Sequence, residues 1–411
     1  MDARNYAIVT AAYWGFTLTD GALRMLVLLH FHALGYSPLQ LAFLFLLYEF
    51  CGIVTNLFGG WIGSRVGLKF TLFAGLATQV VALTMLSLMQ PGWAAAVSVA
   101  YVMAAQALSG VAKDLTKMSS KSAVKLLVPK QGRNGTADSR ALFKWVAVLT
   151  GSKNALKGAG FFLGGVLLGW LGFTTALWAM AGGLLLVLLA GLIFLKGDLG
   201  KSKHKAKFTQ LFAKSPEINA LSAARFFLFA SRDIWFVVGL PVFLRSAMGW
   251  SFAGVGGFMA AWVIGYGIVQ ACAPGFVHGN ARSALAWGSL LVVVTTAIAA
   301  AVQFDFYPEV AILGGLAVFG AVFAVNSAVH SYLILAYTDE DKVALNVGFY
   351  YMANACGRLV GTLLSGLLYV LAGLPACLWA SAIFVLAAVL LTLRLPRRAE
   401  GHPAAAAPSE G

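Results

Sequence analysis

Apolar runs about as long as a bilayer is thick recur along almost the whole chain, and no other feature limits the fold so severely. A hydrocarbon core of about 30 Å takes about 20 helical residues at a rise of about 1.5 Å each. Runs of that length fall near 8–33, 39–62, 70–89, 93–113, 142–170 and 173–195. A second set falls near 218–244, 251–273, 284–303, 309–336, 346–371 and 376–394. Lipid offers no partner for a free backbone amide, so each run predicts a helix that satisfies its own hydrogen bonds. Only 11% of the residues are charged, against about 25% in soluble domains, so a water-soluble surface is excluded. The 45 glycines suit helices that approach closely in a membrane. The expected fold class is an all-α membrane protein with about twelve transmembrane helices in two six-helix halves.

The loops carry their charge on one side. Alternate connections hold Arg65 and Lys69, a dense run from Lys113 to Lys144, another from Lys196 to Lys214, then Arg282, Lys342, Arg394, Arg397 and Arg398. The opposite connections hold Arg245 beside Asp305 and Glu309. The positive-inside bias then puts both termini and the central loop in the cytoplasm, for a multi-pass protein of a bacterial inner membrane. The expected divisions are a six-helix bundle over 1–195, a basic linker over 196–217, a second bundle over 218–396 and a disordered tail over 397–411. The linker reads as an orientation signal that touches anionic lipid headgroups, not as a nucleic-acid site. The sequon at Asn134 lies on the cytoplasmic side and is not expected to carry sugar. Cys51, Cys272, Cys356 and Cys377 stand singly, so neither a disulfide framework nor a zinc site is expected, and no metal or cofactor is called for. The first apolar run is too long for a cleavable leader and carries Asp20 and Arg24 at its middle.

An ionisable side chain near the bilayer centre costs at least a few kcal/mol, so each one demands a reason. The expected spans contain Asp20, Arg24, Glu49, Lys153, Lys157, Arg225, Arg232, Asp233 and Arg358. Six cations against three acids leave a surplus of three positive charges. Asp20 and Arg24 are i,i+4 and can pair along one face, whereas Lys153 and Lys157, also i,i+4, repel each other. Arg225 and Arg232 share a face at i,i+7, with Arg225 near enough to the helix end to snorkel. In the plainer reading the acids neutralise cations in permanent pairs: Asp20 with Arg24, Glu49 with a lysine, and Asp233 with a neighbouring cation. That still leaves cations over, and arginine forks suit phosphate or carboxylate. Substrate binding is therefore expected at Arg24, Arg232, Lys153, Lys157, Arg358 and Arg225, with Asn326 and Asn354 beside them and Asp20, Glu49 and Asp233 pairing or coupling. Asn326 with His330, and Gln106, serve equally well as interhelical glue. His30 and His32 are expected at the interface opposite the termini, and Lys113, Lys117, Lys121 and Lys125 on a solvated helix face.

Two six-helix halves joined by a cytoplasmic loop resemble the major facilitator superfamily. The loop from Gly60 through Gly63, Ser64, Arg65 and Gly67 to Lys69 resembles its GxxxDRxGRR signature, with Ser64 where the signature has an acid. More specific likenesses lie at YWGFTLTDGALRMLVLLHFHALGYSPLQ (13–40), LSGVAKDLTKMSSKSAVKLLVP (108–129), LTGSKNALKGAGFFLGG (149–165), ARFFLFASRDIWFVVGLPVFL (224–244) and AAWVIGYGIVQ (260–270). They resemble the ArsJ-type organoarsenical efflux permeases, and the likeness runs through both halves, with a longer loop at about 130–140. The resemblance implies export of 1-arseno-3-phosphoglycerate, a labile polyanion made when glyceraldehyde-3-phosphate dehydrogenase uses arsenate. It implies a functional partnership with that enzyme in arsenate detoxification. An alternative cargo is another organophosphate or an inorganic anion. A membrane-embedded enzyme would need a nucleophile or metal set at membrane depth, and the sequence has no HExxH, acidic ladder or Ser/His/Asp set. Coupling to protons through Asp20, Glu49 or Asp233, and exchange against external phosphate, both stand open.

Overall fold

The computed structural model describes residues 3–66, 68–90, 92–127, 139–195, 215–338 and 343–396, without the side chains of 3–6, 59–68, 118–151, 335 and 343–345. The tail 397–411, most of the linker, the loop at 128–138 with its sequon, and the side chains of Ser64, Arg65, Lys121 and Lys125 lie outside the described residues.

Among the described residues the chain is helical throughout, with no strand. The helices are α1 (Ala3–Ala33), α2 (Pro38–Val66), α3 (Leu68–Ser87), α4 (Ala95–Leu127) and α5 (Ser139–Phe194). After the linker come α6 (Pro216–Phe236), α7 (Gly239–Ser246), α8 (Phe252–Cys272), α9 (Ala281–Gln303), the short α10 (Pro308–Val310), α11 (Leu316–Ala336) and α12 (Val343–Thr392). Among these residues nine segments are long and apolar enough to cross a membrane. Two of them, in α5 and α12, are long enough for two crossings. Gly172 breaks α5 with φ 73°, and Gly373 breaks α12 with φ 68°; a side chain in that left-handed region would clash with its own backbone. With α1, whose charges keep it out of the apolar set, the crossings agree with the twelve expected spans.

The spans differ in what they face. The most apolar stretch of Pro216–Ser246 is 83% buried, whereas that of Ala281–Gln303 is 28% buried. The α6–α7 span is thus central and α9 peripheral, with Leu290 and Val293 outward, as lipid permits. The most extensive contacts between the early and late helices are of α5 on α8 and of α2 on α12. At the end opposite the termini, His32 Nε2 meets Ser246 Oγ at 2.9 Å, tying α1 to α7. His30 stacks on Phe173 at 3.9 Å near the same end.

Candidate functional site

The buried charges gather where α1, α2, α5, α6 and α12 converge, and small residues let them. A Cβ on Gly21 would lie 2.6 Å from the Lys157 carbonyl, and one on Gly160 2.5 Å from that of Leu18, so α1 and α5 touch backbone to backbone. This contact brings Lys157 Nζ to 4.0 Å from Asp20 Oδ2. On α12, Gly357 and Gly361 flank Arg358. A Cβ on Gly361 would stand 2.8 Å from the Ala230 carbonyl and 2.9 Å from Asp233 Cβ. Without side chains there, α12 settles onto α6 and Arg358 reaches Asp233.

The result is one alternating chain of charges. Arg24 Nη2 donates to Glu49 Oε1 at 3.0 Å, and Arg358 Nη2 donates to the same oxygen at 2.5 Å. Arg358 Nε donates to Asp233 Oδ2 at 3.2 Å, while Arg232 Nε donates to Asp233 Oδ1 at 2.7 Å. Three guanidiniums share two carboxylates, which leaves one net positive charge. Burial is uneven: the Glu49 and Asp233 side chains are each 1% exposed, against 12%, 14% and 17% for Arg24, Arg232 and Arg358. A solute that reaches the cluster meets guanidinium edges, not carboxylate oxygens.

Several expected pairings are corrected. Asp20 does not pair with Arg24: it accepts from the Tyr48 hydroxyl at 2.7 Å and lies nearest Lys157 among the cations. Arg24 turns instead to α2, over Phe45 and Tyr48, to reach Glu49. Glu49 takes two arginines and no lysine, because Arg358 arrives from α12, a helix far away in sequence. Asp233 pairs with its neighbour Arg232, as expected of an adjacent cation. Arg225 does not snorkel; it is 4% exposed, and its Nη1 donates to Ser327 Oγ at 3.0 Å. Lys113 and Lys117 do not form a solvated face, because α4 continues past residue 113 and turns them inward. Lys113 lies 4.0 Å from the Tyr48 ring centroid, and Lys117 donates to Asn56 at 3.0 Å and pairs with Asp114 at 3.6 Å. Lys153 is half-buried on α5 beside the cluster residue Lys157. Asn326 is buried and Asn354 half-buried, each with an unpartnered side-chain oxygen, and Gln106 Nε2 and His330 Nδ1 are likewise unpartnered.

Tyr48, Thr55 and Asp114 were not singled out in the sequence. Thr55 donates to Asp114 between α2 and α4. A tyrosine or threonine in an apolar run carries no charge signal, so only its neighbours reveal a role, and Asp114 falls just past the expected span 93–113 although α4 continues to Leu127. No group of three or more His, Cys, Asp or Glu side chains spaced to hold a metal occurs among the described residues.

The model of the Major Facilitator Superfamily matches residues 7–240 and 221–410, once on each half of the chain. The chain belongs to the major facilitator superfamily. As a member it is a multi-pass membrane transporter and not an enzyme, and its fold is similar to that of solved superfamily transporters. A point mutant of the nucleoside transporter NupG is 15% identical, with a TM-score of 0.70 over 95% of this chain and 98% of that one. A bacterial homologue of the iron transporter ferroportin in its outward-facing state is 14% identical, with a TM-score of 0.67 over 95% and 98%. The inward-facing state of such a homologue is 16% identical, with a TM-score of 0.66 over 94% and 98%. Among curated proteins none is significantly similar to this superfamily member.

Proposed function

We propose that this superfamily transporter exports an organic polyanion, 1-arseno-3-phosphoglycerate, and so removes arsenate from the cell. The observation that carries the reading is the charge chain itself: three guanidinium edges partly open, both acids covered, and one positive charge left over. The resemblance to the ArsJ-type permeases chooses the cargo among polyanions, and the partner that makes it is glyceraldehyde-3-phosphate dehydrogenase. An iron cation, the cargo in the name of the ferroportin homologues, would be repelled by this surplus. A neutral nucleoside, the cargo in the name of NupG, would leave it unbalanced.

In this reading Arg24 and Arg232 clamp one anionic group, and Arg358, Lys157 and Lys153 hold the other, with Asn326 and Asn354 beside them. Arsenate or phosphate oxygens compete with Glu49 and Asp233 for the same N–H donors. Arg358 links α2 to α6 through those acids, so an anion that takes it over loosens a contact between the halves 1–195 and 218–396. The halves then rock about the midplane site, with the linker 196–217 and both termini in the cytoplasm of a bacterial inner membrane. Of Asp20, Glu49 and Asp233, Asp20 alone stands outside the shared chain, held by Tyr48 and Lys157, and is the best placed of the three to couple transport.

The test is arsenate resistance in a sensitive bacterium carrying empty vector, this protein, the dehydrogenase, or both. Resistance and lowered cellular arsenic only with both proteins are expected, and are lost with Arg24→Ala or Arg232→Ala. No protection in any strain, with the protein present in the membrane, overturns the arsenical assignment and moves the search to ordinary organophosphates.

A further inference from the structure

Arg225 stands apart from the central chain of charges, and its surroundings are unusual for a buried cation. It is 4% exposed, and among the described residues no carboxylate lies within ion-pair distance of it. Its Nη1 is occupied by the carbonyl and hydroxyl of Ser327, at 3.2 and 3.0 Å. Phe229 lies 3.9 Å and Tyr350 5.1 Å from its carbon, which shields the guanidinium without neutralising it. Its Nε–H has no partner. One helical turn earlier on α6, the Ser222 hydroxyl is 2% exposed and also unpartnered. One turn beyond Ser327 on α11, His330 is 1% exposed with Nδ1 unpartnered. A buried charge without a counter-charge is among the costliest arrangements in a protein, and orphaned polar atoms beside it add to the penalty.

We propose that Arg225, Ser222, Ser327 and His330 form a second anion site, which takes one small monovalent inorganic anion of the halide class. Charge balance selects the valence. One guanidinium with no acid is neutralised by one negative charge, whereas a phosphate or arsenate dianion would leave net negative charge buried in a low-dielectric interior. The donors select the size: one free N–H and the Ser222 hydroxyl suit a spherical ion, while a tetrahedral oxyanion has more oxygens than these unpartnered groups have donors. The site is separate from the central clamp. Arg225 and Arg232 lie against the same Phe229 ring, at 3.9 and 4.9 Å from its centroid, but only Arg232 bonds to the shared acids. The proposal does not depend on the cargo of the central site.

Crystals of the full-length protein soaked in sodium bromide, with data collected at the bromine edge, test the site directly. An anomalous peak within about 3.5 Å of Arg225 Nε is expected. Bromide found only at the surface, or only beside Arg24, Arg232 and Arg358, overturns the proposal, as does phosphate or arsenate displacing bromide from Arg225. In solution, melting of the purified protein should be about 3 °C higher in sodium chloride than in sodium gluconate at saturating halide. Arg225→Gln should abolish that difference and Ser222→Ala should reduce it, while Arg24→Gln, which alters only the central site, should retain it. An undiminished chloride effect in Arg225→Gln overturns the assignment. Should that variant not fold, the bromide peak in the unmodified protein and the Ser222→Ala melt still decide the question.

Discussion

Arg358 holds Glu49 and Asp233 at once, so the link between them is measurable as a coupling energy. Two unit charges about 4 Å apart at an effective dielectric of about 20 attract by about 4 kcal/mol. Glu49 also keeps Arg24 at 3.0 Å, and the Arg358 side chain is 17% exposed, so roughly half of that attraction should survive in the Arg358–Glu49 pair. Four proteins form the cycle: unmodified, Arg358→Ala, Glu49→Gln and the double variant. Reversible denaturant unfolding in detergent is the assay. Arg358→Ala should destabilise by about 3 kcal/mol, because it strips a cation from two covered acids. Glu49→Gln should cost about 1–2 kcal/mol, and the double variant should fall short of the sum by about 2 kcal/mol. Arg358→Lys should restore less than half of the loss, since one ammonium cannot reproduce the fork that spans both acids. A coupling below about 0.5 kcal/mol would mean that the pair contributes nothing beyond its separate surroundings, and would refute the argument that Arg358 ties α2 to α6.

Tyr48→Phe removes the hydroxyl that donates to Asp20 at 2.7 Å and should lower stability by about 1–3 kcal/mol; an unchanged melting temperature would count against a structural role for that bond. Gly361→Ala places a methyl 2.8 Å from the Ala230 carbonyl, so α12 and α6 must separate at a cost of about 1–3 kcal/mol, visible as reduced monodisperse protein in size-exclusion chromatography. Gly265→Ala meets nothing within 4 Å and should behave as the unmodified protein, a control for glycine replacement as such. His32→Ala cuts the 2.9 Å contact between α1 and α7, so a cysteine at Leu34 should label faster with a water-soluble maleimide; equal rates would show that the contact does not restrain that end.

The number of crossings, their order, and the membrane depth of Asp20, Arg24, Glu49, Arg232, Asp233 and Arg358 were legible in the sequence, because each is a property of a local stretch set against a bilayer of fixed thickness. The burial of Arg225, Lys113, Lys117 and Asp114 was not. Hydropathy put the breaks between two pairs of successive crossings within a few residues of Gly172 and Gly373. The surplus of cations was a matter of counting. The partners of those charges were not legible. Helical spacing allowed Asp20 to pair with Arg24, yet α2 sets Tyr48 and Glu49 against that same face, and each takes one of the two. Arg358 meets Glu49 across 309 positions of sequence. It does so because α12 packs on α2, with Gly366 against the Pro38 carbonyl, while Gly357 and Gly361 let the same helix rest on α6. The isolation of Arg225 from every described carboxylate is likewise a consequence of packing, since it sits only two helical turns from the acid-bound Arg232. The span a charge falls in follows from composition along one helix. Pairing depends on how several helices rotate and how closely their backbones approach, and only the tertiary structure decides that.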